Sequence, residues 1–317
     1  MQSELFRPIL EQFEVLAAEN QVKTSGTAAQ PPHPNTFYSL LFVSKLFNYE
    51  TLRLIYRDIT VEFRVHGKRQ EQALKLLRTL CSSTTSPEHV RSLKLRFSIN
   101  EACMIDDNQE YAAPIPFRDG PVEQVDVCDL IHRAMRRLRN LTTLYVKHNG
   151  GPFLLRLSEL STMHRPPFQL SVFTFNAWVD SSLWDFVSSQ SSIKTFTCLP
   201  EAHHLNFPPQ TNVCLLPNVE RLSVRSPIAQ TLFKTGPRPQ LWELSVELGP
   251  NIGVTSSWIS IKSVTALCID VMGKPPDDAL ELLQFFPNLR ALQLIVPWNA
   301  SPDILVSRRV GIRSRYF

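Results

Sequence analysis

The chain has 317 residues, of which 43% are hydrophobic, and its formal net charge is +4. This composition can bury a large core, which excludes a wholly disordered chain, and no apolar run approaches the roughly 20 residues that span a bilayer. Four arginines lie in the last ten residues, so the rest of the chain has 29 basic and 29 acidic residues. This neutral body argues against a large nucleic-acid footprint, which needs clustered positive charge.

The first predicted element is an amphipathic helix at the N-terminus. The opening residues, MQSELFRPILEQFE, lack the basic start and apolar middle of a signal peptide. They therefore predict a soluble protein of the cytoplasm and/or the nucleus. Residues 18–36 are mostly polar and contain three prolines, and we expect them to form a flexible spacer.

The next stretch predicts two short helices and a strand. Apolar residues of FYSLLFVSKLFN (37–48) share one helix face, and ETLRLIYR (50–57) predicts a second helix. DITVEFRV (58–65) then alternates apolar and polar residues, which is typical of a half-buried strand. A helix is predicted in QEQALKLLRTLCSS (70–83), and we expect the strand before it to be the first of a series.

A six-residue pattern, L-x-x-L-x-L with other apolar residues allowed, then recurs eight times. The matches are VRSLKL (90–95), LTTLYV (141–146), LSVFTF (170–175), IKTFTC (193–198), VERLSV (219–224), LWELSV (241–246), VTALCI (264–269) and LRALQL (289–294). Their middle apolar residues are separated by 51, 29, 23, 26, 22, 23 and 25 residues. Six of these seven gaps fall in the 20–29 residue range of leucine-rich repeats, so the set predicts a repeat protein.

Each match predicts a strand with one buried face. Its last two apolar residues are two apart and so point to the same side of a strand. Helices are predicted after some strands, as in SSLWDFVSSQSS (181–192) and PPDDALELLQFFPN (275–288). One unit cannot bury its apolar face alone, so neighbours must stack. We therefore predict an α/β fold, an irregular leucine-rich-repeat solenoid over residues 67–306, with parallel strands on the concave side and helices and loops outside.

The 51-residue gap predicts a loop insertion at residues 99–125, which are acidic, contain proline and lack periodicity. A helix is predicted after it in VDVCDLIHRAMRRLRN (125–140). We expect its arginines, at positions 133, 136, 137 and 139, to be mostly exposed, with anion binding as the alternative. Residues 307–317 form a basic tail, which we interpret as a solvated end rather than a nuclear-import or RNA-binding element.

The sequence predicts neither an enzyme nor a cofactor or metal site. It contains none of the common catalytic or nucleotide-binding motifs. The six cysteines form no CxxC pair and are predicted to be buried or half-buried thiols. A zinc site built from Cys198, His203, His204 and Cys214 is the alternative, but this spacing fits no common zinc pattern.

A candidate protein-binding surface follows from the variable positions of the repeats. These positions are expected to point to the concave face of the sheet, and Trp, Tyr and Arg are the residue types that anchor protein interfaces. Trp242 is the strongest candidate, unless it tucks into a neighbouring connector. The predicted set is Tyr145, Lys194, Arg221, Trp242, Glu243 and Arg290.

The N-terminal stretch LLFVSKLFNYETLRLIYRDITV (40–61) resembles the second half of the F-box-like motif of fungal F-box/leucine-rich-repeat proteins. ELFRPIL (4–10) matches the first helix of that motif, with Met1-Gln2-Ser3 in place of the expected Leu-Pro. The repeats resemble the irregular leucine-rich repeats of the same family. This resemblance assigns residues 1–66 to a small helical F-box-like segment plus the first strand.

The resemblance implies the substrate-recognition subunit of a Skp-cullin-F-box ubiquitin ligase. The neutral body and the lack of a bilayer-spanning run predict no nucleic-acid or membrane partner. The F-box would bind a Skp-type adaptor of the cullin-RING ligase, and the repeats would hold an unknown protein substrate. The implied adaptor contacts are Leu5, Ile9, Leu10, Leu41, Val43 and Leu54. The alternative is a non-catalytic interaction scaffold, in which a decayed F-box only caps the solenoid and these six residues form the core of the cap.

Overall fold

The computed structural model describes residues 45–64, 68–83, 86–98, 127–149, 166–177, 179, 181–200, 215–248, 260–271, 281–295 and 312–313. Its strands form one sheet whose spatial order is the order of the chain. They are β1 (Asp58–Arg64), β2 (Ser92–Ser98), β3 (Thr143–Asn149), β4 (Val172–Asn176), β5 (Thr195–Cys198), β6 (Arg221–Arg225), β7 (Glu243–Leu248), β8 (Ala266–Val271), β9 (Ala291–Ile295) and β10 (Ile312–Arg313). Neighbours from β1 to β9 are parallel, and β10 is antiparallel to β9. This arrangement is compatible with an α/β solenoid.

Helices cover one side of the sheet. They are α1 (Lys45–Arg57), α2 (Lys68–Ser82), α3 (Ser86–His89), α4 (Val127–Met135), α5 (Ser181–Ser188), α6 (Ser226–Lys234) and a 3-10 turn (Leu283–Phe285). α2 contacts β1 and α4, and α6 contacts β6 and β7. Buried residues of the strands and helices belong to one continuous apolar core.

The repeat pattern coincides with the register of the sheet. The middle apolar residues of the eight matches are Cα partners from strand to strand, and all are buried. The row is Leu93, Leu144, Phe173, Phe196, Leu222, Leu244, Leu267 and Leu292. Ile59 of β1 pairs with Leu93, which confirms that DITVEFR forms the first strand of the series.

The other face of the sheet is not covered in the same way. Buried and half-buried residues alternate along β7 and β8. Parallel strands with helices on both faces are apolar throughout, so this alternation indicates that the described helices cover one face only. Beneath the covered face, the Phe173 ring centroid lies 5.4 Å from that of Phe186 on α5 and 5.7 Å from that of Phe196. Aromatic packing therefore fixes β4 and β5 from one side.

Two helix predictions need correction. α1 is one continuous helix, whereas the sequence predicted a break near Asn48. Asn48 is a weak helix former, but the stretch has no Gly or Pro to end the helix. The second correction is α6, which was not predicted. It begins with Pro227 in its first turn, where the missing N–H costs nothing, and it buries Ile228, Leu232 and neighbouring residues on one face.

The arginine run after the insertion is mostly exposed, as predicted. Arg133 pairs with Asp129 at 3.0 Å, and Arg136 and Arg139 are exposed. Arg137 differs, because it is half-buried and donates to the backbone carbonyl of Cys81.

Several predictions concern other parts of the chain. Residues 1–44, with the predicted first helices and spacer, and the predicted insertion at 99–125 lie outside the described residues. Of the predicted tail, Ile312 and Arg313 are described, and they pair with Leu292 and Ala291 of β9.

Candidate ligand-binding face

The uncovered side of the sheet, termed here the exposed face, consists of the strand residues that alternate with the core. Its middle row crosses nine strands in register. The row is Thr60, Lys94, Tyr145, Thr174, Thr197, Ser223, Ser245, Cys268 and Gln293. Short hydroxyl side chains occupy its centre, and the larger side chains of this row are Lys94 and Tyr145 near one end and Gln293 at the other.

A second row borders the exposed face at the N-terminal ends of the strands and is termed here the N-terminal rim. It consists of the residue directly before each strand from β2 to β9. These residues are Arg91, Thr142, Ser171, Lys194, Glu220, Trp242, Thr265 and Arg290. Each carbonyl from Arg91 to Thr265 accepts two backbone N–H groups of the next repeat, as Glu220 accepts those of Trp242 (3.1 Å) and Glu243 (3.3 Å). Neighbouring rim positions are therefore separated by the strand spacing of about 4.8 Å.

Trp242 lies at this rim with an arginine over its ring. The guanidinium carbon of Arg221 is 4.9 Å from the centroid of the Trp242 ring. Arg221 Nε also lies 3.3 Å from Glu243 Oε2 on the neighbouring strand. Trp242 remains 37% exposed, so the indole is oriented by Arg221 and still offers surface to a ligand.

An ion pair extends this group along the rim. Lys194 Nζ lies 3.0 Å from Glu220 Oε1, and Glu220 is the rim residue between Lys194 and Trp242. The structure thus brings together four of the six predicted residues. With Glu220 added, they are termed here the Trp242 cluster: Lys194, Glu220, Arg221, Trp242 and Glu243.

The other two predicted residues lie apart from this cluster. Tyr145 is a half-buried residue of the middle row on β3, with the guanidinium carbon of Arg96 5.9 Å from its ring centroid. Arg290 is exposed at the rim, and Thr265 separates it from Trp242. Two of the six predicted residues, Arg221 and Glu243, therefore lie on strands within the cluster. Three others, Lys194, Trp242 and Arg290, lie at the rim. Tyr145 lies nearer the start of the sheet.

Sequence analysis missed an ion pair at the C-terminal ends of β6 and β7. Arg225 Nη2 lies 2.8 Å from Glu247 Oε1, and the two side chains are only 13% and 12% exposed. Burial raises the pKa of Glu247 in spite of Arg225, and burial also raises the pKa of its register partner Asp270. Each of these residues directly follows a six-residue match. Extending the strand alternation by one position would have placed them on the exposed face.

The implied adaptor contacts are mostly outside the described residues. Leu5, Ile9, Leu10, Leu41 and Val43 lie there. Leu54, on α1, is only 7% exposed. Tyr49 of the same helix is 54% exposed, and its ring meets that of His89 edge-on at 5.0 Å. Tyr49, which was not predicted, therefore offers more surface than Leu54.

The described cysteines are buried or half-buried, as predicted. Cys198 lies on the covered side of β5, and Cys81 and Cys268 are half-buried. Burial raises the pKa of Cys198, which disfavours the thiolate that binds metals. His203, His204 and Cys214 of the zinc alternative lie outside the described residues. Among the described residues there is no group of His, Cys, Asp or Glu able to hold a metal and no helix able to span a membrane.

Comparison with known proteins adds no family assignment. A scan against protein-family models finds no match, and a search of curated proteins finds no match either. The functional reading therefore depends on the residues and the geometry described above.

Proposed function

We propose that the chain is the substrate-recognition subunit of a Skp-cullin-F-box ubiquitin ligase. In this proposal the chain is an F-box-like/leucine-rich-repeat protein. Its N-terminal helical segment binds a Skp-type adaptor, and the exposed face of its sheet holds a protein substrate. It performs no chemistry itself, because the ligase supplies the catalytic subunits.

The observation that carries the proposal is the exposed face with the Trp242 cluster at its edge. A parallel sheet usually carries helices on both faces, whereas in the part of the chain that the structure describes the helices cover one face of the nine parallel strands. At that face stand an exposed tryptophan and an arginine, the residue types that most often dominate interface energies. This combination favours recognition of a protein surface over binding of a small molecule in a pocket.

The start of the described chain supports the adaptor half of the proposal. α1 ends at Arg57 and β1 begins at Asp58, so no loop separates the helix from the first strand. α1 also contacts α3 and β1. A helix joined in this way to the sheet can hold an adaptor at a fixed position relative to the exposed face. This matters because ubiquitin transfer needs a substrate held in reach of the ligase.

The buried position of Leu54 favours the second candidate, a repeat scaffold without a ligase. A side chain that is 7% exposed contributes little surface to a partner. Leu54 thus fits a helix that caps the apolar end of the sheet. In the scaffold reading the exposed face still binds a protein, but no adaptor binds.

Affinity purification of the tagged full-length protein from its own cells tests the exposed face. We expect the Trp242→Ala/Arg221→Ala variant to lose protein partners that the wild type retains, by about tenfold or more for a ligand anchored there. Lys234→Ala, an exposed change at the end of α6 in the helical layer, is the matched control and should retain them. If both variants retained every partner, the exposed face would not be the binding surface.

A further inference from the structure

Four cations on β2, on β3 and at the rim before β2 form a group termed here the basic patch. They are Arg91, Lys94, Arg96 and Lys147. Arg91, Lys94 and Arg96 are exposed, and Lys147 is half-buried. Arg96 and Lys147 are register partners on adjacent strands. Like charges are therefore placed side by side at about the strand spacing of 4.8 Å, an arrangement that opposes folding.

The basic patch differs from the rest of the exposed face. Between β5 and β7 the cations have acidic partners: Lys194 with Glu220, Arg221 with Glu243, and Arg225 with Glu247. In the part of the chain that the structure describes, no ion pair joins a cation of the basic patch to an acidic residue. Glu62 on β1 is the register partner of Arg96, whereas the register partners of Lys94 and Lys147 include no acidic residue. The charge of Lys94 and Lys147 is thus left for a ligand.

The surroundings of the patch limit the ligand to a short anionic segment. Asp58 and Glu62 on β1 border it on one side. Neutral Thr174 and Asn176 on β4 border it on the other. Two strands span only about 10 Å, which is too narrow for the long positive track that a nucleic acid requires. The Tyr145 and Thr143 hydroxyls lie within the patch and can donate hydrogen bonds to carboxylates.

We propose that the basic patch binds a carboxylate-rich segment of the protein ligand, made of Asp and Glu residues. This inference rests on the proposed function, because it assigns a chemistry to part of the ligand held on the exposed face. Four strand spacings, about 19 Å, separate β3 from β7, and an extended segment covers that distance in about six residues. The ligand therefore carries its acidic stretch about six residues from the group that contacts the Trp242 cluster.

A labelled peptide of about eight residues, alternating Glu and Ser, tests the patch directly on the purified full-length protein. We expect binding that weakens as salt is added, because the charges are exposed. A peptide with Gln in place of Glu should not bind. A single-stranded DNA oligomer of equal charge should bind more weakly than the Glu peptide. Equal binding of the Gln peptide, or tighter binding of the DNA, would overturn the proposal.

Lys147→Glu should change peptide affinity and thermal stability in opposite directions. It should weaken binding of the Glu peptide about tenfold. It should also raise the midpoint of thermal unfolding by about 1–2 °C, because the new carboxylate attracts Arg96 instead of repelling the cation. Arg136→Glu, a change of an exposed cation after α4, is the control and should leave peptide binding unchanged.

Lys147→Glu and the Trp242→Ala/Arg221→Ala variant together separate this inference from the proposed function. Unchanged peptide affinity in Lys147→Glu would overturn the basic patch as the binding site. If the Trp242→Ala/Arg221→Ala variant still lost its partners in that case, the proposed role of the exposed face would stand without the acidic segment.

Discussion

At the scale of single residues, His148 shows how burial on the covered side of the sheet changes the pKa of an ionisable group. It lies on β3 with its ring centroid 6.1 Å from that of Phe97, and it is 8% exposed. Burial lowers the pKa of its imidazole from 6.5 to about 4. The unfolded chain therefore binds more protons than the folded one between pH 6.5 and pH 4. The contribution of the neutral His148 ring to the free energy of unfolding is therefore fully present above pH 6.5 and is lost as the pH falls towards 4.

His148→Phe tests this linkage while keeping an aromatic ring. We expect the wild type to lose about 2–3 kcal/mol more stability than the variant between pH 7 and pH 4. Urea unfolding at several pH values, followed by hydrogen exchange of the β3 amides, measures the difference. Burial also lowers the pKa of His89, so the variant should retain some pH dependence. Equal slopes in both proteins would contradict the account of His148.

The Trp242 cluster shows what residue types could and could not predict. The residue types of Trp242 and Arg221 make them candidates for a protein interface, and the structure places the Arg221 guanidinium over the Trp242 ring. Glu220 was not chosen, because its role depends on the pairing of Lys194 with the next repeat. Ion pairs between repeats require the register of the sheet, which the residue types alone do not contain.

At the scale of elements, polar side chains tie successive repeats together. Asn140 Nδ2 donates to the carbonyl of Glu88 at 2.7 Å, Asn218 to that of Ser191 at 2.9 Å, and Asn288 to that of Lys262 at 2.7 Å. Ser263 Oγ donates in the same way to Arg238 at 3.1 Å. Each of these residues stands directly before the first apolar residue of its repeat. The bonds fix the connector of one repeat against the next.

Asn218→Ala tests the contribution of these bonds. We expect a loss of about 1 kcal/mol of stability, because a hydrogen bond between repeats is removed and the Ser191 carbonyl loses its partner. Gln240→Ala is a matched control, since Gln240 occupies the equivalent position before Leu241 and is exposed. Chemical denaturation of both variants measures the difference. A loss in Asn218→Ala no larger than in Gln240→Ala would contradict this role.

The strands were easier to predict than the connections between them. Eight apolar hexamers at similar spacing were enough to predict the strands and their stacking, because one repeat cannot bury its apolar face alone. Connectors carry no such period. The asparagine bonds and α6 were therefore missed, although Pro227 with Ile228 and Leu232 gave a local helix signal. In α1, two helices were predicted, and the structure has one helix that continues through Asn48.

At the scale of the whole molecule, the described repeats stack in chain order, with their helices on one face of the sheet and a continuous core between. Each repeat contacts its neighbours in the sheet, so a local change on the exposed face leaves distant repeats intact. This separation favours a recognition protein, in which side chains of the exposed face can vary without loss of the core. It also means that the adaptor-binding and ligand-binding halves of the proposal can be disrupted separately.

The most direct test of the central claim is the binding of purified Skp-type adaptor to the purified full-length chain, measured by titration calorimetry. We predict binding by the wild type and by Trp242→Ala, which changes only the exposed face. We predict loss of binding by the Leu10→Asp/Val43→Asp variant, because charges would replace the implied apolar contacts. The same experiment would contradict the ligase proposal if the folded wild-type protein bound no adaptor, and the chain would then be a capped repeat scaffold.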